Sequence, residues 1–318
     1  MDEHGNLEIV YGKGRPALWF ACHTDHPALR VDGKGTAVIE GGIRADALVG
    51  ARLRTFDADV HPTVTKVLER GAHSGGRVKL KGAVGLKKGT PLVLDLPGVS
   101  FAGGKVRARA IDDLCAVAAC LAVIDTLTKK RWEGSVGFLF TRAEEVGFAG
   151  ALGWTRSTKL SRRSAIVNLE MSPARPHTPQ GKGPILRIGD RITIFDDGVS
   201  LALEQCAMQL QKKHETFAYQ RALMDGGACE ATVYARAGFR AGALCLPLKN
   251  YHNHAPRGRT GPEYVARADA ENLVLWMEAF ARTHANMPGV ARLEKRLDKL
   301  YRKHAKRLIR TADQGAGT

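Results

Sequence analysis

The sequence contains no apolar run approaching the ~20 residues needed to span a bilayer. Its N-terminus, MDEHGNLEIV, lacks the basic and apolar regions of a secretory signal. The six cysteines (Cys22, Cys115, Cys120, Cys206, Cys229 and Cys245) include no C-x-x-C pair, and several lie inside apolar runs such as WFAC and ALCLP. That usage fits free thiols in a reducing compartment better than a disulfide framework. Together these absences predict a cytoplasmic protein with no membrane partner. Outside the C-terminal segment, no Lys/Arg run resembles a recognition helix, so no nucleic-acid partner is expected.

What is present is ordinary in bulk and unusual in charge. With 318 residues, 44% hydrophobic and 25% charged, the chain can bury a large core and divide into domains. The net charge of +16 is high, but much of it is local. Residues 288–318 hold nine Lys/Arg against three acids, which is +6 of the total. There Leu293, Leu297, Leu300, His304 and Leu308 recur at 3–4 spacing, which predicts a basic amphipathic helix followed by a loose TADQGAGT tail.

The rest alternates in character. Residues 7–12 and 18–22 read as two strands joined by a GKGRP turn. From about Leu29 to Arg107, short β-like runs (TAVIE, ALVGARLRTF, TKVLERG, GRVKLKG, PLVLDLP) are punctuated by Gly, Pro and Asp, which predicts a small all-β, barrel-like unit. From Asp112 onward helices and strands alternate: LCAVAACLAVIDTL, SVGFLFT, AIVNLE, VSLALEQCAMQLQKK, CEATVYARAG, AGALCLP and EYVARADAENLVLWMEAFARTH. The expected fold class is α/β, a doubly wound, mostly parallel sheet with the β unit inserted into it. The expected boundaries are 1–29 with 106–288, then 30–105, then 289–318.

Five clusters of acids and histidines punctuate this pattern: HTD at 23–25, DD at 112–113, EE at 144–145, Glu170 in VNLEMS, and HNH at 252–254. Four follow apolar strands, and residues at the carboxyl ends of such strands line the ligand crevice of an open sheet. Each cluster has a plain alternative. His23 with Asp25 could be a surface pair, Asp112 and Asp113 could cap a helix, Glu144 and Glu145 could be solvated, Glu170 could be a turn residue, and a loop histidine is often free. Taken together they contain two imidazoles and three carboxylates as ligands, with a spare glutamate as base. That is the inventory of a two-metal hydrolase. His252 and His254 both qualify as the last ligand.

The stretches D-E-H-G-N-L, A-C-H-T-D, I-E-G-G, R-A-I-D-D, T-R-A-E-E-V-G-F-A-G-A, M-D-G-G-A and L-P-L-K-N-Y-H cover most of residues 1–285. In them the chain resembles the tetrahedral aminopeptidases, co-catalytic zinc peptidases that include glutamyl and deblocking aminopeptidases. The resemblance implies that His23 and Glu170 hold one metal and Glu145 and His252 (or His254) the other. It implies Asp112 as the bridge, Glu144 as general base, Asp25 orienting His23, and a cis peptide between Asp112 and Asp113. It also implies two divalent ions, zinc foremost with cobalt or manganese as substitutes, peptide substrates and a homo-oligomer. Family members usually carry a further helix and strand before D-x-x-G-N, so either a truncated start or a pared-down fold is expected. The long segment between Asp25 and Asp112 matches the insertion point of this family, whereas related deacylases carry theirs before the last histidine. A deacylase or amidase on the same centre is the alternative. A glycosidase using Glu144 and Glu145 fits poorly, since adjacent carboxylates cannot flank a sugar bond from opposite sides. Arg221, Arg257 and Arg259 flank the late motifs, and with the positive charge they predict a preference for acidic or neutral N-terminal residues.

Overall fold

The computed structural model describes residues 1–56, 59–71, 75–284 and 290–312. In chain order the elements are β1 (Leu7–Tyr11), β2 (Leu18–His23), β3 (Ala28–Gly33), β4 (Thr36–Glu40), β5 (Leu53–Arg54), β6 (Thr63–Glu69), β7 (Arg77–Lys81), β8 (Pro91–Leu94), β9 (Ser100–Ala102) and β10 (Lys105–Ala108). Then follow α1 (Ile111–Lys129), β11 (Val136–Thr141), α2 (Ala149–Ser157), β12 (Ala165–Pro173), β13 (Ile185–Arg187), α3 (Asp197–Lys213), β14 (Gln220–Ala222), α4 (Glu230–Arg236) and β15 (Arg240–Leu248). The chain closes with β16 (His254–Ala255), β17 (Arg259–Thr260), β18 (Glu263–Ala266), α5 (Arg267–Thr283) and α6 (Val290–Ala312).

The main sheet runs β1-β11-β2-β12-β15-β13-β14. Its centre is parallel, from β11 through β2 and β12 to β15, while β1 and β13 join antiparallel. The apolar composition explains that centre. All six residues of β2, and all six of β11, are buried, as strands covered on both faces must be. On one face, Phe20, Phe138, Leu169 and Leu246 pack with Ala116, Val123 and Trp276 of α1 and α5. On the other, Trp19, Leu139, Ile166 and Ala241 pack with Trp154, Val233 and Tyr234 of α2 and α4.

Three local readings change. β1 and β2 are not partners, because β11 lies between them: fully buried β2 needs a strand on each side, whereas β1 is half exposed and suits the edge. The expected helix from Glu263 starts only at Arg267, since Glu263–Ala266 pairs with β10 as a strand. β12 and β15 continue to Pro173 and Leu248, so Glu170 lies inside its strand rather than at its end.

Residues 28–94 form a second sheet, ordered β5-β8-β3-β4-β7-β6. Alternation governs it: Leu29 and Val31 on β3, and Ala37 and Ile39 on β4, point into a separate core with Leu53, Val78 and Leu92. Backbone hydrogen bonds from Leu53 to Pro62 and from Val64 to Ala51 join its edge strands into a barrel-like closure. β9 and β10 belong instead to a small sheet with β18. The basic amphipathic segment is α6, with Leu293, Leu297, Leu300 and Leu308 exposed. Of the predicted tail, residues 313–318 lie outside the described ones. Among the described residues, no helix is long and apolar enough to cross a membrane.

Candidate active site

Register delivers the first pair of side chains. β12 pairs with β2 up to Asn168 opposite Ala21; beyond that the strands diverge. His23 and Glu170, two residues further along each, therefore face the opening gap from the same side. His23 Nε2 lies 3.6 Å from Glu170 Oε1 and 3.2 Å from Asp112 Oδ1. Asp112 and Asp113 begin α1 but have non-helical backbone angles and a cis peptide between them. Their carboxylates do not cap the helix. Asp112 turns into the gap, and Asp113 Oδ2 accepts the His23 backbone N–H at 3.3 Å.

The glutamate pair sits on the turn after β11. Asp25 holds that turn by accepting the Glu144 N–H on Oδ1 and the Glu145 N–H on Oδ2, both at 3.1 Å. Its Oδ1 is 3.6 Å from His23 Nδ1, while its backbone oxygen is within hydrogen-bond distance of that nitrogen at 3.2 Å. Buried Asn6 braces the same turn: its Oδ1 accepts Arg142 N–H and its Nδ2 donates to Gly150 O. That accounts for D-E-H-G-N-L at the N-terminus.

His252 lies in the loop after β15 with φ +51° and stacks on Tyr251 at 3.9 Å. Its Nε2 is 3.4 Å from Glu145 Oε2 and 3.8 Å from Asp112 Oδ2. The other candidate points elsewhere, as His254 Nε2 accepts the Arg44 N–H at 2.9 Å. Among the described residues, the groups able to hold an ion are His23 with Asp112 and Glu170, Asp112 with Glu145 and His252, and His23 with Glu144 and Glu145. In each, the donor atoms lie within 4.8 Å of one another. Asp112 belongs to the first two groups and can therefore bridge them.

The electrostatics explain why such a cluster calls for cations. Burial, reinforced by Asp112 and Glu144, holds the Glu145 carboxyl well above the usual range. Burial also raises Glu144, with Glu170, Glu230 and Asp112 adding to it against the opposing pull of His23. Asp112 is pushed up to about 6, burial outweighing His23. Burial would lower His23, but Glu144, Asp112, Asp25 and Glu170 push it well above its ordinary value. The buried oxygens Asp112 Oδ1 and Glu145 Oε1 have no hydrogen-bond partner. Mixed nitrogen and oxygen donors, buried carboxylates and orphaned lone pairs converging on one gap are the features of a divalent-metal centre.

The supporting residues were not legible as such. Glu263, fully buried, accepts the Asp112 N–H on Oε2 at 2.9 Å and the His252 N–H on Oε1 at 2.8 Å. His26 bridges Asp112 O at 2.6 Å and Asn253 Oδ1 at 3.0 Å. Glu230 accepts from the Thr141 and Tyr234 hydroxyls on one oxygen and leaves the other unpartnered. Gly42, within I-E-G-G of the inserted sheet, hydrogen-bonds the His252 ring through its backbone. A small cleft of about 80 Å³ opens beside the cluster, lined by its carboxylates, Tyr251, Arg175, Arg187 and Met224 with Gly226 and Gly227. A larger cavity of about 680 Å³ lies between α1, α5 and β9–β10, but its lining is mostly apolar and carries none of the ligand groups. Of the arginines expected near substrate, Arg221 faces Glu204 at 3.7 Å and Arg257 and Arg259 are exposed; none lines the cleft.

The fold has known counterparts. A TET aminopeptidase from the marine sediment archaeon Thaumarchaeota archaeon SCGC AB-539-E09 superposes with a TM-score of 0.74 at 21% identity, over 88% of this chain and 86% of that one. The Pyrococcus horikoshii TET1 peptidase, described as assembling into a tetrahedron or a large octahedral shell, gives 0.72 at 23%, over 88% of each. An aminopeptidase from Desulfurococcus kamchatkensis gives 0.71 at 21%, over 89% and 84%. No curated protein sequence matches the chain. A model of the M42 glutamyl aminopeptidase family matches residues 76–260, from just before β7 through the loop that carries His252 and His254. With more than half its length inside that match, the chain belongs to the M42 glutamyl aminopeptidase family and is a metallo-aminopeptidase.

Proposed function

We propose that the chain removes N-terminal residues from peptides at a two-metal centre in which His23 and Glu170 hold one ion, Glu145 and His252 the other, and Asp112 both. The observation that carries this reading is the membership of Asp112 in two separate donor groups, each completed by one histidine and one glutamate. Zinc suits the mixed nitrogen and oxygen donors, and cobalt or manganese would also be accepted. When bound, such ions polarise the scissile carbonyl and make a water between them more acidic. Everything else falls to the chain's own residues. Glu144, in the cleft and not needed in either group around Asp112, takes a proton from the attacking water and delivers it to the departing amine. Its buried, anionic surroundings raise its proton affinity, which suits a group that must take up and then release a proton. Asp25 keeps Glu144 and Glu145 in place through their backbone amides.

The same proposal sets domain limits of 1–29 with 106–288, 30–105 and 289–318; two separate cores support an inserted unit, although its first strand, β3, already begins at Ala28. Assembly as a homo-oligomer in the cytoplasm is part of the same proposal, on the precedent of the P. horikoshii peptidase's shells. The test is Glu144→Gln. The variant is expected to bind two equivalents of metal by elemental analysis and to melt like the parent, yet to hydrolyse aminoacyl-nitroanilides at no more than a few per cent of its rate. Retention of more activity than that excludes Glu144 as the base. Faster turnover of N-acyl amino acids than of aminoacyl-nitroanilides by the unmodified protein would favour the deacylase reading.

A further inference from the structure

The last helix carries a surface that neither core nor metal cluster uses. α6 leans on α3, yet of its described side chains only His304 and Ala305 are half-buried and the rest are exposed. Leu293, Leu297, Leu300 and Tyr301 are 43% to 62% exposed. At about 100° per residue, these four fall with Leu308 within an arc of roughly 100°, the width of an apolar stripe made to be covered. Leucines left together in water by a folded chain mark a surface with a partner.

The flank beside that stripe is cationic. Lys295, Arg296, Lys299, Lys303 and Lys306 fall within a second arc of about 100°, and all five are exposed. Arg302 pairs with Asp298 at 2.9 Å; among the described residues, none of the five has a carboxylate within ion-pair distance. Lys295, Lys299 and Lys303 repeat at i,i+4, a like-charge spacing that works against the helix. An anionic partner converts that repulsion into attraction.

Stripe and flank together select the partner. A second copy of α6 could cover the leucines, but it would bring two unpaired cationic flanks within about 10 Å of each other, which is roughly the Debye length at 0.1 M salt. A nucleic acid would pair with the cations and leave the leucines in water. An anionic lipid surface satisfies both, because its headgroup phosphates and its acyl boundary lie in adjacent layers. With 23 residues, the helix offers about 35 Å of contact along such a surface.

We infer that α6 docks the protein on an anionic lipid surface, lying in the interface with Leu293, Leu297, Leu300 and Tyr301 toward the acyl chains and its unpaired lysines at the headgroups. The catalytic domain is thereby held at the membrane face. The expectation of no membrane partner rests on the lack of a spanning segment, and a helix lying in the interface needs none. The inference concerns α6 alone and stands apart from the reading of the metal centre.

The test is co-sedimentation of the full-length, metal-loaded protein with vesicles of phosphatidylcholine alone or with about one-quarter phosphatidylglycerol. Each basic residue near an anionic leaflet multiplies partitioning about fivefold, so the anionic vesicles are expected to bind at least about 100-fold more tightly, with release at about 0.5 M salt. Leu297→Ala with Leu300→Ala keeps good helix formers but removes apolar bulk, and is expected to weaken binding by about 10-fold or more. Lys299→Gln with Lys303→Gln is expected to do the same on anionic vesicles and to change nothing on neutral ones. Both pairs should melt and hydrolyse aminoacyl-nitroanilides like the parent, since they are exposed and outside the metal cluster. Absence of vesicle binding, or equal binding to neutral vesicles, would overturn the inference. Undiminished binding by the leucine variant would overturn it too, since cations alone would then make α6 a surface for phosphate polymers. A fall in oligomer size of the leucine variant in analytical ultracentrifugation, with no vesicle binding by the parent, would assign the stripe to contact between copies instead.

Discussion

Placing a single methyl group on the loop after β4 of the inserted unit is expected to disable a site built almost wholly from the other one. A Cβ built on Gly42 would stand 2.3 Å from His252 Nδ1 and 2.6 Å from Cε1. Ordinary contact begins near ~3.5 Å, so the ring or the loop would have to retreat by about 1 Å. Gly42 does not occupy the left-handed region, so Ala is acceptable to the backbone and the clash is the whole effect. His252 has no free direction in which to yield. It is stacked on Tyr251, its N–H is tied to Glu263, and its Nε2 faces Glu145 and Asp112. Overpacking of this kind costs about 1–3 kcal/mol in stability. A displacement of about 1 Å in a catalytic constellation costs roughly 10²-fold in rate. The assay is kcat/KM on an aminoacyl-nitroanilide with metal in excess, together with metal affinity by competition with a chromogenic chelator. Gly98→Ala is the control, since a Cβ there meets nothing within 4 Å and the backbone is equally permissive. If Gly42→Ala keeps more than about a third of the activity and the parent's metal affinity, the contact between inserted sheet and last histidine does not matter and the reasoning fails.

Two further outcomes test the support and identity of the ligands. Glu263→Ala strands the buried N–H groups of Asp112 and His252, at about 1–3 kcal/mol each, so urea unfolding of the metal-loaded protein should show a loss of about 2–6 kcal/mol, with Glu263→Gln losing less because one acceptor remains. A change below about 1 kcal/mol would contradict the buried hydrogen bonds. For the paired histidines, His252→Ala should lower metal affinity and activity by more than the roughly 10–100-fold typical of outer-shell residues, whereas His254→Ala, which loses only a bond to the Arg44 amide, should stay within a few-fold of the parent; equal losses would mean both bind metal.

How much of this was legible in the sequence depended on the range of the interaction. The parallel centre was visible because strands buried on both faces must be apolar throughout, as LWFACH and VGFLFT are. The barrel-like sheet was visible from its alternation and turns. The clusters could be read because four of the five combine an acid or a histidine with an apolar strand, a local conflict between burial and charge that points to a site. The helix reading of EYVA failed because pairing with β10, some 160 residues earlier, overrides local preference. Glu263, His26 and Asn253 were missed for a related reason. Glu263 is a single polar residue in an unremarkable setting, His26 and Asn253 stand beside more conspicuous candidates, and the roles of Glu263 and His26 exist through partners distant in the chain, Asp112 for Glu263 and both Asp112 and Asn253 for His26. The arginines singled out from sequence lay near motifs, but Arg187 was passed over inside GPILRIGD because proximity along the chain says nothing about which face of a three-residue strand looks into a cleft.

The same distinction bears on why the site is built from two sheets. Four of the five proposed ligands come from the main sheet's strands or the turns after them, and the cluster is carboxylate-rich enough that burial works against it. Asp112, Glu144 and Glu145 are each pushed toward the neutral form, which binds cations poorly. The fold positions these groups through backbone contacts: Asp25 accepts from the glutamate turn, Glu263 from the amides of Asp112 and His252, and Gly42 meets the last imidazole. Lysines or arginines in those places would neutralise the cluster and compete with the metal. Backbone partners hold the ligands without occupying their lone pairs, so Asp112 Oδ1 and Glu145 Oε1 remain free. On that argument the inserted unit would contribute to metal binding although it supplies no proposed ligand, because the last histidine is met by a glycine in the loop after its strand β4.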